Sequence, residues 1–251
     1  MRCRLALIAV LAAAPLGAGC GSGGSEPALT VAAAASLQKA FTLYAHQFPA
    51  ATVRFSFAGS DTLAAQIEHG VRPDVFASAN EVLPAALYRR GLVEKPIVFA
   101  ANRLVLAVPA SSNVSDLSRV EKRGVSIAVG TPTVPVGAYT QTILGRLPAA
   151  QRGVLLADIV DREPDVSGIV GKLTEGAVSA GFLYATDVAA AKGALRAITL
   201  PAPLQPRVGY AAAIVTGTHR GTQAQAFIAG LLNGAGQHYL LASGFLPPPK
   251  T

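Results

Sequence analysis

Two serines stand where an apolar run gives way to a helical pattern. Ser36 follows residues 29–35, and Ser60 closely follows the alternating stretch Val53, Phe55, Phe57. A hydroxyl at such a junction can cap the helix by accepting from a free N–H of its first turn, or it can join those N–H groups in holding an anion. A third hydroxyl, Tyr184, ends the apolar run 180–184. Taken singly, each has an ordinary structural reading: the serines as caps, the tyrosine as a core residue with a satisfied hydroxyl.

Other chemistry finds less support. Ser36-Leu37-Gln38-Lys39 has the S-x-x-K spacing of serine acylases, and Ser60-Asp61-Thr62 faintly echoes their second motif, but no K-T-G follows. Gly168-Ile169-Val170-Gly171-Lys172-Leu173 lacks both P-loop spacing and the Ser or Thr after the lysine. His46, His69, His219 and His238 stand alone, so no zinc spacing exists. The expectation is a binding protein without catalysis, cofactor or cation-ligating residues; the remote alternative is a serine acylase using Ser36 and Lys39.

Apolar spacing supplies the elements that must position these groups. Strands are expected at residues 29–35, 53–57, 74–78, 103–108, 125–129, 154–157, 180–184 and 208–215. Leu37, Ala40, Phe41, Tyr44 and Phe48 recur at helical spacing before Pro49. Leu63, Ala64 and Ile67 begin a second helical face, and further helices fit 81–90, 138–147, 166–173, 222–232 and 236–241. A helical turn fits 114–117, and loops fit 130–137 and the proline-rich 200–206. This alternation predicts an α/β fold in which ligands sit beyond the carboxyl ends of strands, where helix N-termini converge. Long strands near residues 103 and 208 suggest two α/β lobes joined by two hinge crossings, with the ligand in the cleft: 29–101 plus 208–251 as lobe 1, and 102–207 as lobe 2.

The chain of 251 residues is 51% hydrophobic and 14% charged, ample for a core and unlike a disordered chain. Its start differs from its body. Arg2 and Arg4 precede a short apolar run at 5–16, an export signal over residues 1–19 that is too short for a membrane span. Gly17-Ala18-Gly19-Cys20 resembles the lipobox of bacterial lipoproteins, although the aliphatic residue usual three places before the cysteine is Gly17. Cys20 would then be lipidated, and 20–28 would form a flexible tether to the outer face of the membrane. Since Cys3 leaves with the signal, the mature body has no disulfide. The formal charge is +7, two of it from Arg2 and Arg4, and the remainder is scattered singly or in pairs such as Arg89-Arg90. That pattern favours an anionic ligand or a membrane surface over nucleic acid, which calls for a clustered basic stripe.

Several short stretches form a set: Ala33-Ala34-Ala35-Ser36-Leu37, Phe57-Ala58-Gly59-Ser60, Asp74-Val75-Phe76-Ala77-Ser78-Ala79, Val134-Pro135-Val136-Gly137, Asp165-Val166 and Gly181-Phe182-Leu183-Tyr184-Ala185-Thr186-Asp187. In order and spacing they resemble the periplasmic molybdate-binding proteins, over residues 29–245. The resemblance implies a type II periplasmic-binding-protein fold, capture of molybdate or tungstate as ligand, and a monomer delivering it to an ABC transporter permease and its ATPase. It implies oxyanion contacts from the hydroxyl and N–H of Ser36 and of Ser60, the N–H groups of Val136 and Val166, and the Tyr184 hydroxyl. A fully ionised tetrahedral oxyanion offers only acceptors, so neutral donors in a dry pocket satisfy it without any Arg or Lys. The sequence departs from the family in two places. Val136 stands where alanine is common, and Asp61 stands where serine is common. A carboxylate at 61 pointing inward would repel a dianion and could accept a proton from phosphate, which with sulfate is the rival ligand; turned away, it would cap the helix.

Overall fold

The structure, a computed structural model, describes residues 28–120 and 124–249. The signal segment 1–19, Cys20 and its tether up to residue 27 lie outside the described residues. In chain order the elements are β1 (Leu29–Ala34), a 3-10 turn (Ala35–Leu37), α1 (Gln38–Ala45), β2 (Val53–Ala58), α2 (Ser60–Glu68), β3 (Val75–Ser78), α3 (Val82–Arg89) and β4 (Ile97–Asn102). There follow β5 (Leu104–Pro109), α4 (Leu117–Val120), β6 (Ile127–Gly130), α5 (Pro135–Arg146), α6 (Ala149–Asp158), β7 (Ile159–Glu163), α7 (Val166–Thr174), β8 (Ala180–Tyr184) and α8 (Ala185–Ala190). The chain ends with β9 (Leu195–Thr199), a 3-10 turn (Ala202–Leu204), β10 (Val208–Ile214), α9 (Gly221–Asn233) and α10 (Ala235–Ala242).

These strands form two five-stranded sheets, ordered β2-β1-β3-β10-β4 and β7-β6-β8-β5-β9. In the first, β1 runs parallel to β2 and β3, and β10 is antiparallel to β3 and β4. The second repeats the plan: β6 is parallel to β7 and β8, and β5 is antiparallel to β8 and β9. The chain passes between sheets twice, from β4 to β5 at Asn102–Arg103 and from β9 to β10 through residues 200–207. Strands covered by helices on both faces read as unbroken apolar runs, and β8 and β10 are buried at every residue. The exposed alternate residues of β2, Arg54 and Ser56, mark an edge strand instead.

Helices α1 and α9 close the first sheet through aromatic side chains. Phe41 meets Phe227 edge-on at 5.5 Å, Phe48 meets Phe227 at 5.4 Å, and the Tyr44 hydroxyl donates to the Phe227 carbonyl at 3.2 Å. Each such aromatic pair contributes roughly 0.5–1.5 kcal/mol beyond the area it buries. Buried Asp74, just before β3, links β1 to the turn after β10: it accepts from the N–H and hydroxyl of Thr30, each at 2.7 Å, and from the Thr218 hydroxyl.

Several element boundaries differ from the sequence expectations. Residues 154–157 are helical within α6, and the strand is β7, which begins at Ile159. A four-residue apolar run is compatible with either period; here Leu155 alone of α6 is buried while Leu156 is 43% exposed, the signature of a helix resting one edge on the core. The strand expected at 103–108 is β5, and a strand not anticipated, β4, precedes it at Ile97–Asn102, with Asn102 and Arg103 forming the crossing between sheets. Strand β9 and helix α8 were also not anticipated. Helix α5 starts at Pro135, three residues earlier than expected, since proline at the first helical position loses no intrahelical bond. Val136 therefore sits in the first turn of a helix, not in a loop.

Candidate functional site

Five element starts point into one small cavity between the two sheets. Its wall consists of Ala34, Ala35 and Ser36 after β1, Ala58, Gly59 and Ser60 at β2–α2, Ala79 after β3, Val134, Pro135 and Val136 at the start of α5, Asp165 and Val166 at the start of α7, and Tyr184 at β8–α8. The cavity holds about 200 Å³ of empty space. The structure thus brings Ser36, Ser60, Val136, Val166 and Tyr184 together, from positions up to 148 residues apart. A larger hollow beside His46 and Phe48 lies on the first lobe's surface and gathers no pair of helix N-termini.

The local folding explains why donors are free here. The first N–H groups of a helix have no intrahelical acceptor. Helices α2 and α5 have Gly59 and Val134 as N-caps, neither with a side-chain cap bond, so Ser60 and Val136 present their N–H groups unclaimed by a cap. In α7 the Asp165 carboxylate accepts from Ser167 N–H (2.7 Å) and Gly168 N–H (3.4 Å), leaving that of Val166. Parallel peptide dipoles add partial positive charge at each of these ends. Gly59 permits the close approach of the two lobes: a Cβ there would lie 2.5 Å from the Pro164 carbonyl oxygen and 3.4 Å from a Val134 methyl.

The hydroxyls differ in how they are held. Ser60 is buried, and its Oγ accepts from Ala79 N–H at 3.1 Å, which ties α2 to the end of β3. Ser36, a candidate helix cap by its position, lies in the 3-10 turn before α1 and makes no cap bond; its Oγ lies 3.0 Å from the Tyr210 hydroxyl. Lys39 is exposed on α1, and Ser36 hydrogen bonds to Tyr210 instead. Tyr184 is 1% exposed, and its hydroxyl has no hydrogen-bond partner. Burial first, with the neighbouring Tyr210 and Tyr139 adding to it, pushes this hydroxyl well above the usual tyrosine range, so it remains a proton donor. A buried hydroxyl facing a cavity without a partner is a costly arrangement that a ligand oxygen would relieve.

No Lys or Arg lines the cavity. Asp61 does not line it either. Its carboxylate turns away from the cavity: it accepts from Thr62 N–H in the first turn of α2 at 2.8 Å and from the Thr133 hydroxyl at 2.6 Å, so it serves the helix start and also links α2 to the loop before α5, across the cleft. The carboxylate on the wall is Asp165, which sequence reasoning did not weigh. Also missed were Ala79, Asn102 and Tyr210 behind the two serines. The signal available for Asn102 was an amide interrupting the apolar run 97–108, and for Tyr210 a lone polar tip inside buried β10. Among the described residues no cluster of three His, Cys, Asp or Glu could hold a metal ion, and no helix is long and apolar enough to cross a membrane.

Comparison with known proteins agrees with this geometry. The model of the family described as bacterial extracellular solute-binding protein matches residues 29–246. The molybdate-binding protein ModA of Mycobacterium tuberculosis is 31% identical over 255 aligned positions, covering 96% of this chain and 95% of the relative. The solved periplasmic molybdate-binding protein of Azotobacter vinelandii superposes with a TM-score of 0.78 at 23% identity, over 88% of this chain and 100% of that one. The sulfate-binding protein SubI of Mycobacterium tuberculosis superposes almost as well, with a TM-score of 0.77 at 17% identity over 88% and 86%, so the fold alone does not separate the two ligands. On the match across nearly all of its described residues, the chain belongs to the family of bacterial extracellular solute-binding proteins.

Proposed function

We propose that this protein captures molybdate, or the closely similar tungstate, outside the cytoplasm and delivers it to an ABC transporter permease and its ATPase. The observation that carries the reading is the cavity of converging helix starts, with neutral donors and no cation. Such a pocket stabilises a dianion through N–H and O–H groups alone. Ser36, Ser60, Val136, Val166 and Tyr184 are the proposed contacts. The first sheet with its helices forms one lobe and the second sheet with its helices the other; the crossings at Asn102–Arg103 and 200–207 serve as the hinge. The sequence of residues 17–20 supports a lipid on Cys20 as the membrane anchor. The protein acts as a monomer and has no catalytic role: the Ser36 hydroxyl is engaged by Tyr210, and Lys39, the residue an acylase would use, is exposed on α1.

The identity of molybdate rests on the relatives at 31% identity. Sulfate and phosphate are the rivals, and a thermal-shift panel on the mature domain separates them. A ligand at 100 times its Kd stabilises the native state by about 2.7 kcal/mol, a rise in Tm of roughly 5–10 °C for a domain of this size. Molybdate and tungstate are expected to give that shift, with sulfate and phosphate giving little at equal concentration. A larger shift with sulfate would reassign the ligand, and no shift with any oxyanion would remove the receptor reading.

A further inference from the structure

Each pocket serine has an acceptor side already engaged from behind. Ser60 Oγ accepts from the Ala79 N–H. For Ser36 the partner is a hydroxyl, so the direction of the bond must be worked out. Asn102 Oδ1 accepts from Arg103 N–H at 2.8 Å, which turns its Nδ2 toward Thr186 Oγ1 at 2.9 Å and Tyr210 Oη at 3.4 Å. An amide nitrogen only donates, so Tyr210 accepts on that side and its own proton needs another acceptor. Tyr184 Oη, the other hydroxyl nearby, makes no hydrogen bond, and Ser36 Oγ lies at 3.0 Å. The proton goes to Ser36.

Resting on the reading of this cavity as an oxyanion site, we infer that Tyr210 is a positioning residue that sets ligand specificity: by donating to Ser36 it commits the Ser36 proton to the ligand. Both serines then donate, and the pocket favours oxyanions that only accept, such as molybdate, over one that still carries a proton, such as hydrogenphosphate. Burial holds the Tyr210 hydroxyl well above the usual tyrosine range, so its proton stays in place. Asp165, the carboxylate on the wall, accepts from Ser167 N–H and Gly168 N–H; it is the same residue in the wild type and in every Tyr210 variant, so it does not enter the comparison between them.

Tyr210→Phe keeps the ring in its packing against Phe99, Tyr184 and Phe245 while removing the proton. Titration calorimetry at pH 8 would compare the wild type, Tyr210→Phe, Ser36→Ala and the double variant. Molybdate would be titrated directly, and hydrogenphosphate measured by competition. Tyr210→Phe is expected to weaken molybdate about 3- to 10-fold, the worth of one neutral hydrogen bond, and to narrow the preference over hydrogenphosphate. On the Ser36→Ala background the same change is expected to cost under about 2-fold, because the effect travels through Ser36. Asn102→Ala, which frees the other side of Tyr210, is expected to narrow the preference by a smaller factor. Equal loss on both backgrounds, or an unchanged preference in both Tyr210→Phe and Asn102→Ala, overturns the inference while wild-type binding keeps the receptor reading. A wild type that binds no molybdate overturns both.

Discussion

Ser36→Ala is expected to weaken molybdate binding about 10- to 150-fold in titration calorimetry, because a hydrogen bond to a charged oxygen contributes roughly 1.5–3 kcal/mol. Ser36 lies within the 3-10 turn and lines the cavity, so removing its hydroxyl takes one donor and leaves the backbone donors at the starts of α2, α5 and α7 in place. Ser60→Ala is expected to lose similar affinity but also to lower the stability of the free protein, since the buried Ala79 N–H loses its acceptor. The contrast between the two separates ligand binding from scaffolding. An unchanged Kd for Ser36→Ala would show that the ligand does not touch it.

Asp187→Asn is expected to flatten the dependence of stability on pH. Asp187 sits 7% exposed in the first turn of α8, and its carboxylate accepts from Tyr184 N–H at 3.1 Å. Burial pushes its pKa to about 7, the Tyr184 N–H working against the shift and Asp165 adding to it. The sign follows from proton counting. Between an unfolded value near ~4 and a folded value near 7 the native state holds a proton that the unfolded chain has released, so stability falls as pH rises through that window and levels off above it. The total is on the order of 4 kcal/mol. Asparagine keeps the acceptor oxygen for Tyr184 and cannot ionise, so relative to wild type the variant should gain stability progressively between about pH 4 and 7 and hold the gain at pH 8. Urea unfolding of both proteins at four pH values tests this. Parallel curves would mean that Asp187 stays ionised in the native state, served by groups outside the hydrogen bond described.

Local pattern made much of the fold legible. The apolar runs of β1, β8 and β10 and the helical spacing of α7, α9 and α10 are properties of neighbouring residues, and hydrophobic periodicity reports them directly. The strand-to-helix junctions at Ser36 and Ser60 were visible for the same reason. Where neighbours do not decide, the reading failed: the run 154–157 suits a strand as well as a helix, and β4 went unread because no turn separates it from the strand at 103–108, the boundary between them being a change of sheet. The role of Ser36 as a helix cap was the plausible local inference, and it is replaced by a bond to a residue 174 positions away.

The sequence by itself determined which segments become strands and helices and that several junctions carry hydroxyls or free N–H groups, because backbone geometry and burial follow local periodicity and chain chemistry. The tertiary structure alone decided which way those groups face. It turned Asp61 to Thr133 and away from the cavity, set Asp165 on the wall, left the Tyr184 hydroxyl without a partner, and placed Tyr210 and Asn102 behind Ser36. Each of these is a contact between segments far apart in the chain, and such contacts are fixed by how two sheets pack and cross, information that no short window of sequence contains.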